Sequence, residues 1–528
     1  MAICIVSFLL WKSLQQQRRD WFYRKEKRQM QPYKDEYWTV TAGNLSQART
    51  RLAQPDVTDQ PKYDDQVVVD PSQKYQKWQG AGAAITDATA SLIWKLPLER
   101  RKSLLHELFS PSEGNFSLIR VPMASCDFGS GEVSKTQFYS YDDVVCDHPD
   151  LQLKHFSIGE GLPGAENATK DMRYMVPVLQ AIIKINPNVK ILATPWSAPA
   201  WMKDSGKIEN GGYFRKDICR QKLLTCYAQY FVKFLQTYQK LGIKISALCI
   251  QNGPNFKTPG PSMNWTMEEL AVFGSCYLKP ALYRDFRHVK LYFWDGSLDK
   301  MTPQSFDQIN NDDVKAFDGI AFHTYIGPFA NIENARKYDS KWELAMTERR
   351  CMMNKKTCDA SHVMMGLIGN YLVRHGLSSI YLWNSALDER GLPNIAGSTG
   401  RRGVITIEHT TGKIMRNLEY YMLRNFSQDV AIDSQLVSST NYMKDDFTGG
   451  ASSVAFMEPD GSLAVQLYNP TDQKIKVSLS LKDFTRWQNV LLPAYGTVTV
   501  HKSNQKMNES EPTANDSFKL NPLPVHLV

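Results

Sequence analysis

The sequence predicts a (β/α)8 TIM barrel, an α/β fold, joined to a small antiparallel β-sandwich-like domain built from both chain ends. Three observations lead to this prediction. Continuous apolar runs alternate with long amphipathic segments, the number of these units is close to eight, and period-two alternation begins after about residue 430. The 528 residues are enough for both domains, and a hydrophobic content of 42% excludes an intrinsically disordered chain.

The apolar runs are predicted to be buried strands of a parallel sheet, because strands covered on both faces lack polar alternation. An eighth strand is expected near 78–86. The seven evident runs are 116–124, 190–195, 245–251, 290–294, 319–323, 342–347 and 379–383. Helices are predicted between the strands, where apolar residues recur at helical spacing. The clearest of these are 170–185, 218–241, 266–285 and 361–375.

The β domain is predicted from short alternating segments separated by turns such as Pro459-Asp460-Gly461. A strand at 66–70 precedes the barrel and is expected to pair with these segments, which are 453–457, 462–468, 474–481 and 496–501. The predicted division of the chain is therefore a β domain from 66–85 and 430–505, a barrel from 86–429 and a C-terminal tail from 506–528.

The first 65 residues lack a periodic apolar pattern and are predicted to be a poorly ordered leader. The apolar run at 2–11 is too short to span a membrane, and it lacks a basic n-region and a small-residue cleavage site. It is either a degraded secretory signal or a leader without a function. Eight basic residues within the first 34 positions carry most of the net charge of +8, so the rest of the chain offers no basic stripe for nucleic acid.

Cysteine spacing predicts neither a metal site nor a cofactor. The nine cysteines form no CxxC pair and no Cys/His cluster of the kind that binds zinc. Asn-x-Ser/Thr sequences favour a secretory or lysosomal route, since they are the acceptors of N-glycosylation. The glycosylation candidates in the body of the chain are Asn115, Asn167, Asn264 and Asn425.

Polar and aromatic side chains recur where the predicted strands end, which is the face that carries function in such barrels. Aromatic faces combined with Asp, Asn and His groups suit a sugar ring, which has apolar faces and hydroxyl edges. A single strand-end aromatic is as readily explained by packing, but recurrence at seven strand ends favours a carbohydrate site. These residues are Arg120, Asp127, Phe128, Trp196, Asn252, Asp295, His323, Tyr325, Glu348, Trp383 and Asn384. The glycine-rich Gly80-Ala81-Gly82 lacks the further glycine of a nucleotide-binding loop.

Several segments also match one enzyme family. They are KWQGAGAAITDA (77–88), LIRVPMASCDF (118–128), ATPWSAPAWMK (193–203), QNGP (251–254), AFHTY (321–325), MTER (346–349) and IYLWNSAL (380–387). Together with the C-terminal β segment, they make residues 66–502 resemble glycoside hydrolase family 30, and within it the glucosylceramidases (acid β-glucosidases). The resemblance implies a retaining β-glycosidase that hydrolyses glucosylceramide, in sphingolipid metabolism, in the lysosome. It also implies a membrane surface and a lipid-presenting activator protein as partners.

The resemblance assigns roles to the strand-end residues. Glu348 is the expected nucleophile of a mechanism that needs two carboxyl groups about 5–5.5 Å apart. His323 and Tyr325 are expected to orient it. The expected substrate contacts are Asp127, Phe128, Trp196, Asn252, His323, Tyr325 and Trp383, with Arg120 and Asn384 as structural neighbours.

The sequence departs from the family at the catalytic acid/base. The family motif is Gln-Asn-Glu-Pro, whereas this chain reads Gln251-Asn252-Gly253-Pro254 and has no carboxyl group at that position. Losing general acid/base help costs about 10²–10⁴-fold in rate. A smaller departure is Ser398, where the resemblance leads us to expect Asn.

Three hypotheses therefore stay open. In the first, the chain is a slowed β-glucosidase. In the second, it is a catalytically inactive pseudo-glycosidase that binds a glucosyl lipid, another β-glucoside or a partner protein. In the third, it is a folded duplicate without assigned function.

Overall fold

Eight parallel strands close into a barrel in the computed structural model, which describes residues 33–40, 50–134, 137–353, 357–397 and 399–504. Each strand pairs with the next one along the chain, and the last pairs with the first. The barrel strands are Gly80–Ala84, Leu118–Met123, Lys190–Pro195, Ala247–Cys249, Lys290–Ser297, Gly319–His323, Glu343–Glu348 and Leu377–Leu382. All eight predicted strands are confirmed, including the one expected near 78–86.

Helices surround the barrel in the intervals between its strands. The long helix Arg220–Lys240 buries one face that carries Leu223, Tyr227 and Phe231, as its helical spacing predicts. The predicted helix at 266–285 is divided into Met267–Phe273, a π-helical turn at Gly274–Leu278 and Lys279–Leu282. The remaining helices are Asp87–Lys95, Leu98–Phe109, Lys170–Arg173, Met175–Ile185, Pro303–Asp307, Asn311–Val314, Ile332–Tyr338, Thr357–Ser361, the π-helix His362–Leu372, and Leu418–Ser427.

The second domain is a ten-stranded sheet that includes strands from both ends of the chain. The 13-residue strand Asp65–Lys77 lies between Gln435–Ser439 and Ile475–Leu481, which confirms that the segment before the barrel joins the β domain. Valine and leucine side chains from these strands form a separate core. The other strands are Tyr33–Val40, Thr50–Leu52, Asp56–Thr58, Ser452–Met457, Leu463–Tyr468, Trp487–Leu492 and Thr497–Asn504.

The predicted domain limits need two corrections. Strands Tyr33–Val40, Thr50–Leu52 and Asp56–Thr58 belong to the sheet, so the leader does not extend to residue 65. Thr50–Leu52 and Asp56–Thr58 are too short to show a periodic pattern, and Tyr33–Val40 is placed by its pairing with Thr497–Asn504 at the other end of the sequence. In addition, Gly80–Ala84 is a barrel strand, so the barrel begins inside the segment 66–85 that the sequence predicts to belong to the β domain. The apolar run at 2–11 and the tail 506–528 lie outside the described residues.

The two domains are joined by buried contacts around the last helix. The indole Nε1 of Trp78 donates to the carbonyl oxygen of Phe426 at 3.1 Å, and its ring packs against Phe456. Asn425 is 1% exposed, and its side-chain amide donates to Thr497 Oγ1 at 3.1 Å. The prediction that Asn425 is glycosylated is therefore wrong for the folded chain, because this interdomain contact buries the amide. Asn167 is exposed and remains a candidate.

Two other predicted glycosylation positions are partly covered. The side chain of Asn115 donates to the carbonyl oxygen of Ser427 at 2.7 Å, and Asn264 is half-buried. Within the described residues, no helix is long and apolar enough to cross a membrane.

Candidate active site

A cavity of about 600 Å³ opens at the C-terminal ends of the barrel strands. This volume lies within the range of small-molecule sites. The cavity brings together every residue that was predicted to contact substrate. They are Asp127, Phe128, Trp196, Asn252, His323, Tyr325, Glu348 and Trp383, and the position of Gly253 lies among them.

Two β-bulges aim the acidic side chains of the site. In the strand pair 319–323 and 343–348, Phe322 lies opposite Met346 and His323 opposite Glu348, so Thr347 is the extra residue. In the pair 290–297 and 319–323, Trp294 lies opposite Ala321 and Gly296 opposite Phe322, so Asp295 is the extra residue. Bulges redirect side chains and are common beside active sites. They explain why Glu348 points into the cavity while Asp295 lies beneath it.

The carboxylate of Glu348 is held by two hydrogen bonds and is 9% exposed. Arg120 Nη1 donates to Oε2 at 2.6 Å, and the hydroxyl of Tyr325 donates to Oε1 at 3.0 Å. Burial and the charge of Glu348 raise the pKa of Tyr325, so the phenol stays protonated and can donate. His323 Nε2 lies 3.7 Å from Glu348 but 3.3 Å from Asp295. Of the two predicted orienting residues, Tyr325 therefore contacts Glu348 directly, and His323 is paired with Asp295.

Arg120 links the acidic residues into one buried network. Its Nη2 donates to Asp295 at 2.9 Å and to the side-chain oxygen of Asn252 at 2.6 Å. Burial alone would lower the pKa of Arg120, but Asp295 and Glu348 raise it, so the guanidinium is charged. Burial would likewise raise the pKa of Asp295, yet Arg120 and His323 hold it well below its usual range. Both side chains have 0% exposure, so the network is fixed in place.

Aromatic rings form one wall of the cavity. The rings of Trp196 and Trp383 stack with centroids 5.2 Å apart, and Phe128 meets Trp383 edge-on at 6.2 Å. The Arg120 guanidinium lies 4.8 Å from the Trp196 centroid, a cation–π distance. These contacts fix flat apolar faces beside the carboxylate of Glu348, as a sugar ring requires.

The carboxyl group of Asp127 has one oxygen without a hydrogen-bond donor among the described residues. Its Oδ1 is out of contact with solvent and accepts no hydrogen bond from the described residues. Burial, reinforced by the charge of Glu348, raises the pKa of Asp127 to about 7. A buried acceptor without a donor is costly. Asp127 also lines the cavity, so its carboxyl group is available to a ligand hydroxyl.

Gly253 leaves open space at the position where the resemblance predicts a glutamate. Its backbone N–H donates to the carbonyl oxygen of Asp295 at 2.9 Å, and its φ is +54°, a left-handed conformation. A Cβ atom built at this position would meet only the Cβ of Phe256, at 3.5 Å. The cavity therefore has room for a side chain at position 253.

Three of the strand-end residues, Asp295, Arg120 and Asn384, lie outside the lining of the cavity. Arg120 is buried beneath it, and Asn384 is 1% exposed and accepts a hydrogen bond from Thr86 at 2.8 Å. The structural role of Arg120 and Asn384 stays a prediction. Ser398 lies outside the described residues.

Metal-ligating side chains come together once within the described residues, at Asp388, Glu389 and His409. Asp388 is already paired with Arg390 at 2.5 Å, and Glu389 is paired with His409. This cluster does not line the cavity and is satisfied by its own ion pairs.

Sequence reasoning missed two arginines of the cavity, Arg350 and Arg401. Arg350 follows directly after the strand that ends at Glu348, so the strand-end rule could have found it. Arg401 enters through a short strand pair, Cys351–Met352 with Arg401–Arg402, which joins segments about 50 residues apart. No local pattern signals that pairing.

Two family models match the chain. The model described as "Glycosyl hydrolase family 30 TIM-barrel domain" matches residues 78–361, and "Glycosyl hydrolase family 30 beta sandwich domain" matches residues 433–500. Among curated relatives, the endo-1,6-beta-D-glucanase neg1 of Aspergillus fumigatus is 27% identical over 77% of this chain and 81% of its own. The lysosomal acid glucosylceramidase of Mus musculus is 28% identical over 79% of each chain.

The fold has a close counterpart among solved structures. The crystal structure of SrfJ from Salmonella typhimurium superposes with a TM-score of 0.77 at 23% identity, covering 89% of this chain and 99% of the other. At that identity the likeness concerns the fold alone.

Proposed function

Because the chain belongs to glycoside hydrolase family 30, we propose that it forms a covalent glycosyl-enzyme through Glu348 and lacks the acid/base residue at Gly253. The observation that carries this proposal is the network around Arg120. This one guanidinium binds both Glu348 and Asn252, the residue next to Gly253, at 2.6 Å each. The nucleophile is held in place, while the neighbouring acid position carries no side chain.

The proposed first step uses the groups that the fold already orients. A Glu348 oxygen attacks the anomeric carbon of a β-glycoside and the bond to the leaving oxygen breaks, as in retaining glycosidases. Arg120 and Tyr325 position the carboxylate, and the faces of Trp196 and Trp383 pack on the sugar. The carboxyl group of Asp127, which lines the cavity, accepts a hydrogen bond from a sugar hydroxyl.

The missing acid decides which substrates react. Without a group at position 253 to protonate the leaving oxygen, an alcohol must leave as an alkoxide, which is slower by about 10²–10⁴-fold. Leaving groups that need no proton, such as fluoride or an acidic phenol, escape this loss. The second step lacks the base that would activate water, so the glycosyl-enzyme accumulates.

For the natural substrate, we propose a β-glucoside of the glucosylceramide type, turned over slowly. The similarity to the mouse lysosomal acid glucosylceramidase supports this choice, as do the exposed Phe256 and Ile326 on the cavity lining, which suit an apolar aglycone. A lysosomal or secretory location, contact with a membrane surface and a lipid-presenting activator belong to the same proposal. The exposed acceptor Asn167 supports the location.

A second candidate substrate is a β-1,6-linked glucan, because the Aspergillus relative is named as an endo-1,6-beta-D-glucanase. Hydrolysis of a β-1,6-glucan oligosaccharide measured beside glucosylceramide separates the two. Faster turnover of the glucan would assign the chain to the second activity.

The nucleophile is tested by covalent labelling. A 2-deoxy-2-fluoro-β-glucosyl fluoride should add one fluorosugar to Glu348, since this reagent needs no acid, and peptide mass spectrometry should locate it. The Glu348→Gln variant is the control and should stay unlabelled. Absence of label on the wild-type protein would refute the assignment of Glu348.

The acid/base is tested by restoring it. We expect Gly253→Glu to accelerate hydrolysis of glucosylceramide by about 10²-fold or more, because the cavity has space for the side chain. The matched control is Gly253→Gln, which has the same volume and the same left-handed backbone strain but cannot give a proton. Equal activity of the two variants would show that position 253 is not the acid site.

The alternative proposal is a pseudo-glycosidase that binds a glucosyl ligand without turning it over. Calorimetry with a glucose-type iminosugar distinguishes it, because this binding requires no reaction. Iminosugar binding without fluorosugar labelling would favour the pseudo-glycosidase. Absence of both binding and labelling would refute the pseudo-glycosidase proposal.

A further inference from the structure

Four arginines meet at one side of the cavity, where the residues after Glu348 pair with a later segment. Arg349 and Arg350 follow the seventh barrel strand, and Arg401 and Arg402 form the short strand opposite Cys351–Met352. Their surroundings divide them into two pairs, one held by the fold and one facing the cavity.

Arg349 and Arg402 have structural partners. Arg349 donates to the carbonyl oxygen of Thr324, and Arg402 makes a two-point ion pair with Glu419 at 2.7 and 2.8 Å. Glu419 is 4% exposed, so this pair is fixed within the barrel wall. Neither arginine lines the cavity.

Arg350 and Arg401 line the cavity and form no ion pair with a carboxylate in the described part of the chain. The guanidinium of Arg350 lies 4.5 Å from the centroid of Tyr325, the residue that binds Glu348. Among the described residues, the side chain of Arg401 donates to the sulfur of Met352, at 3.5 Å. The third cation of the lining, Lys300, differs because it pairs with Asp299 at 3.1 Å. Two guanidinium groups without a carboxylate partner among the described residues are thus part of the cavity lining.

We propose that Arg350 and Arg401 bind the phosphate of a β-glycosyl phosphate, which leaves from the sugar as Glu348 attacks and then replaces the missing base. Guanidinium groups bind phosphate through paired hydrogen bonds, and two of them can hold a group with three free oxygens. The inference rests on the proposed role of Glu348 and specifies the substrate class for which a missing acid matters least.

The steps balance without an added acid. Glu348 bonds to the anomeric carbon as the carbon–oxygen bond to phosphate breaks, and the monoanionic ester releases hydrogenphosphate dianion with the bonding electron pair. Arg350 and Arg401 stabilise this charge, so no proton has to be supplied. Water then attacks the anomeric carbon, Glu348 departs as carboxylate, and hydrogenphosphate takes the proton of the water. The products are the free sugar and dihydrogenphosphate.

The test compares two glucosyl donors that need no acid. β-Glucose 1-phosphate carries the anion that the arginines would bind, and β-glucosyl fluoride does not. Each of Arg350→Gln and Arg401→Gln should lower kcat/KM on the phosphate by about tenfold or more relative to its effect on the fluoride, as expected for lost hydrogen bonds to a charged group. Arg287→Gln is the control, since Arg287 is an exposed arginine just before the barrel strand that begins at Lys290, at the opposite end of the barrel.

A binding measurement separates this inference from the proposed function. Calorimetry uses the wild-type protein and the analogue of β-glucosyl phosphate in which a methylene replaces the anomeric oxygen, which cannot react. Binding that weakens about tenfold in each arginine variant supports the phosphate site, even if fluorosugar labelling fails and the reaction through Glu348 is refuted. Equal binding by all variants, or equal losses on phosphate and fluoride, would overturn the inference.

Discussion

Replacing Asp127 by asparagine tests whether this carboxyl group is kept for binding at a cost to stability. Asp127 has a buried Oδ1 without a hydrogen-bond donor, and its pKa is raised from 3.8 to about 7 by burial and the charge of Glu348. Asparagine has nearly the same shape and no charge. We therefore expect the variant to unfold less readily and to bind a sugar less tightly.

The size of the effect follows from the pKa. A group whose pKa is higher in the folded than in the unfolded protein contributes stability below its unfolded pKa and loses it as pH rises through the folded value. The rise of about three units corresponds to about 4 kcal/mol at most. Asp127 as a whole is half-buried, so we halve this to about 2 kcal/mol at pH 8. About half of that loss falls between pH 5 and pH 8.

The assay is urea unfolding, followed by circular dichroism, at pH 5 and pH 8. The difference in free energy of unfolding between Asp127→Asn and the wild-type protein should be about 1 kcal/mol larger at pH 8. The exposed Glu268 provides a control, and Glu268→Gln should shift stability equally at both values. In calorimetry, Asp127→Asn should also weaken binding of a glucose-type iminosugar about tenfold. A stability difference independent of pH would refute the reasoning.

Three further predictions concern neighbouring groups. Trp196→Ala should weaken iminosugar binding about tenfold or more in calorimetry, since it removes one of the two stacked indoles; unchanged affinity would place the sugar elsewhere. Arg120→Met should lower the free energy of unfolding by about 3–5 kcal/mol in urea titrations, because it leaves Asp295 and Glu348 without their buried counter-charge; a loss below about 1 kcal/mol would contradict this. Azide should accelerate turnover of a dinitrophenyl β-glucoside and yield β-glucosyl azide, because a small anion fits beside Gly253 and needs no base; a rate independent of azide would mean that the second step is not limiting.

The barrel could be predicted because its strands are buried on both faces. A run such as 319–323 has 0–6% exposure at Ile320, Phe322 and His323, so its sequence is apolar until the functional residue ends it. The same rule located Glu348 and Trp383. In contrast, Thr50–Leu52 is placed by pairing with Tyr33–Val40, and Asp56–Thr58 by pairing with Trp487–Leu492, more than 400 residues away in sequence. The residues of these two short strands carry no comparable signal.

The cavity residues that lie at strand ends could be predicted from the sequence, whereas those that lie on loops could not. Arg401 reaches the cavity only because Met352 pairs with it across a two-residue ladder. The bulges at Thr347 and Asp295 also decide which acidic group faces the cavity. The sequence alone does not show where a strand contains an extra residue that shifts the alternation of its side chains. Asn425 shows the same limit, because its glycosylation sequence is intact while interdomain packing buries the amide.

The presence of Glu348 does not by itself establish activity, because this residue serves the fold as well as the proposed chemistry. Its carboxylate is one of two counter-charges of a fully buried arginine, and removing it would leave Arg120 paired with Asp295 alone. A glutamate at position 253 has no such structural role, because its side chain would project into open cavity space. The two positions therefore differ. Loss of the Glu348 carboxylate would leave a buried arginine with one counter-charge, whereas a side chain at position 253 would meet only Phe256 among the described residues. For this reason, labelling of Glu348 and arginine-dependent reaction of a glycosyl phosphate, and not the presence of the nucleophile, are the observations that establish catalysis.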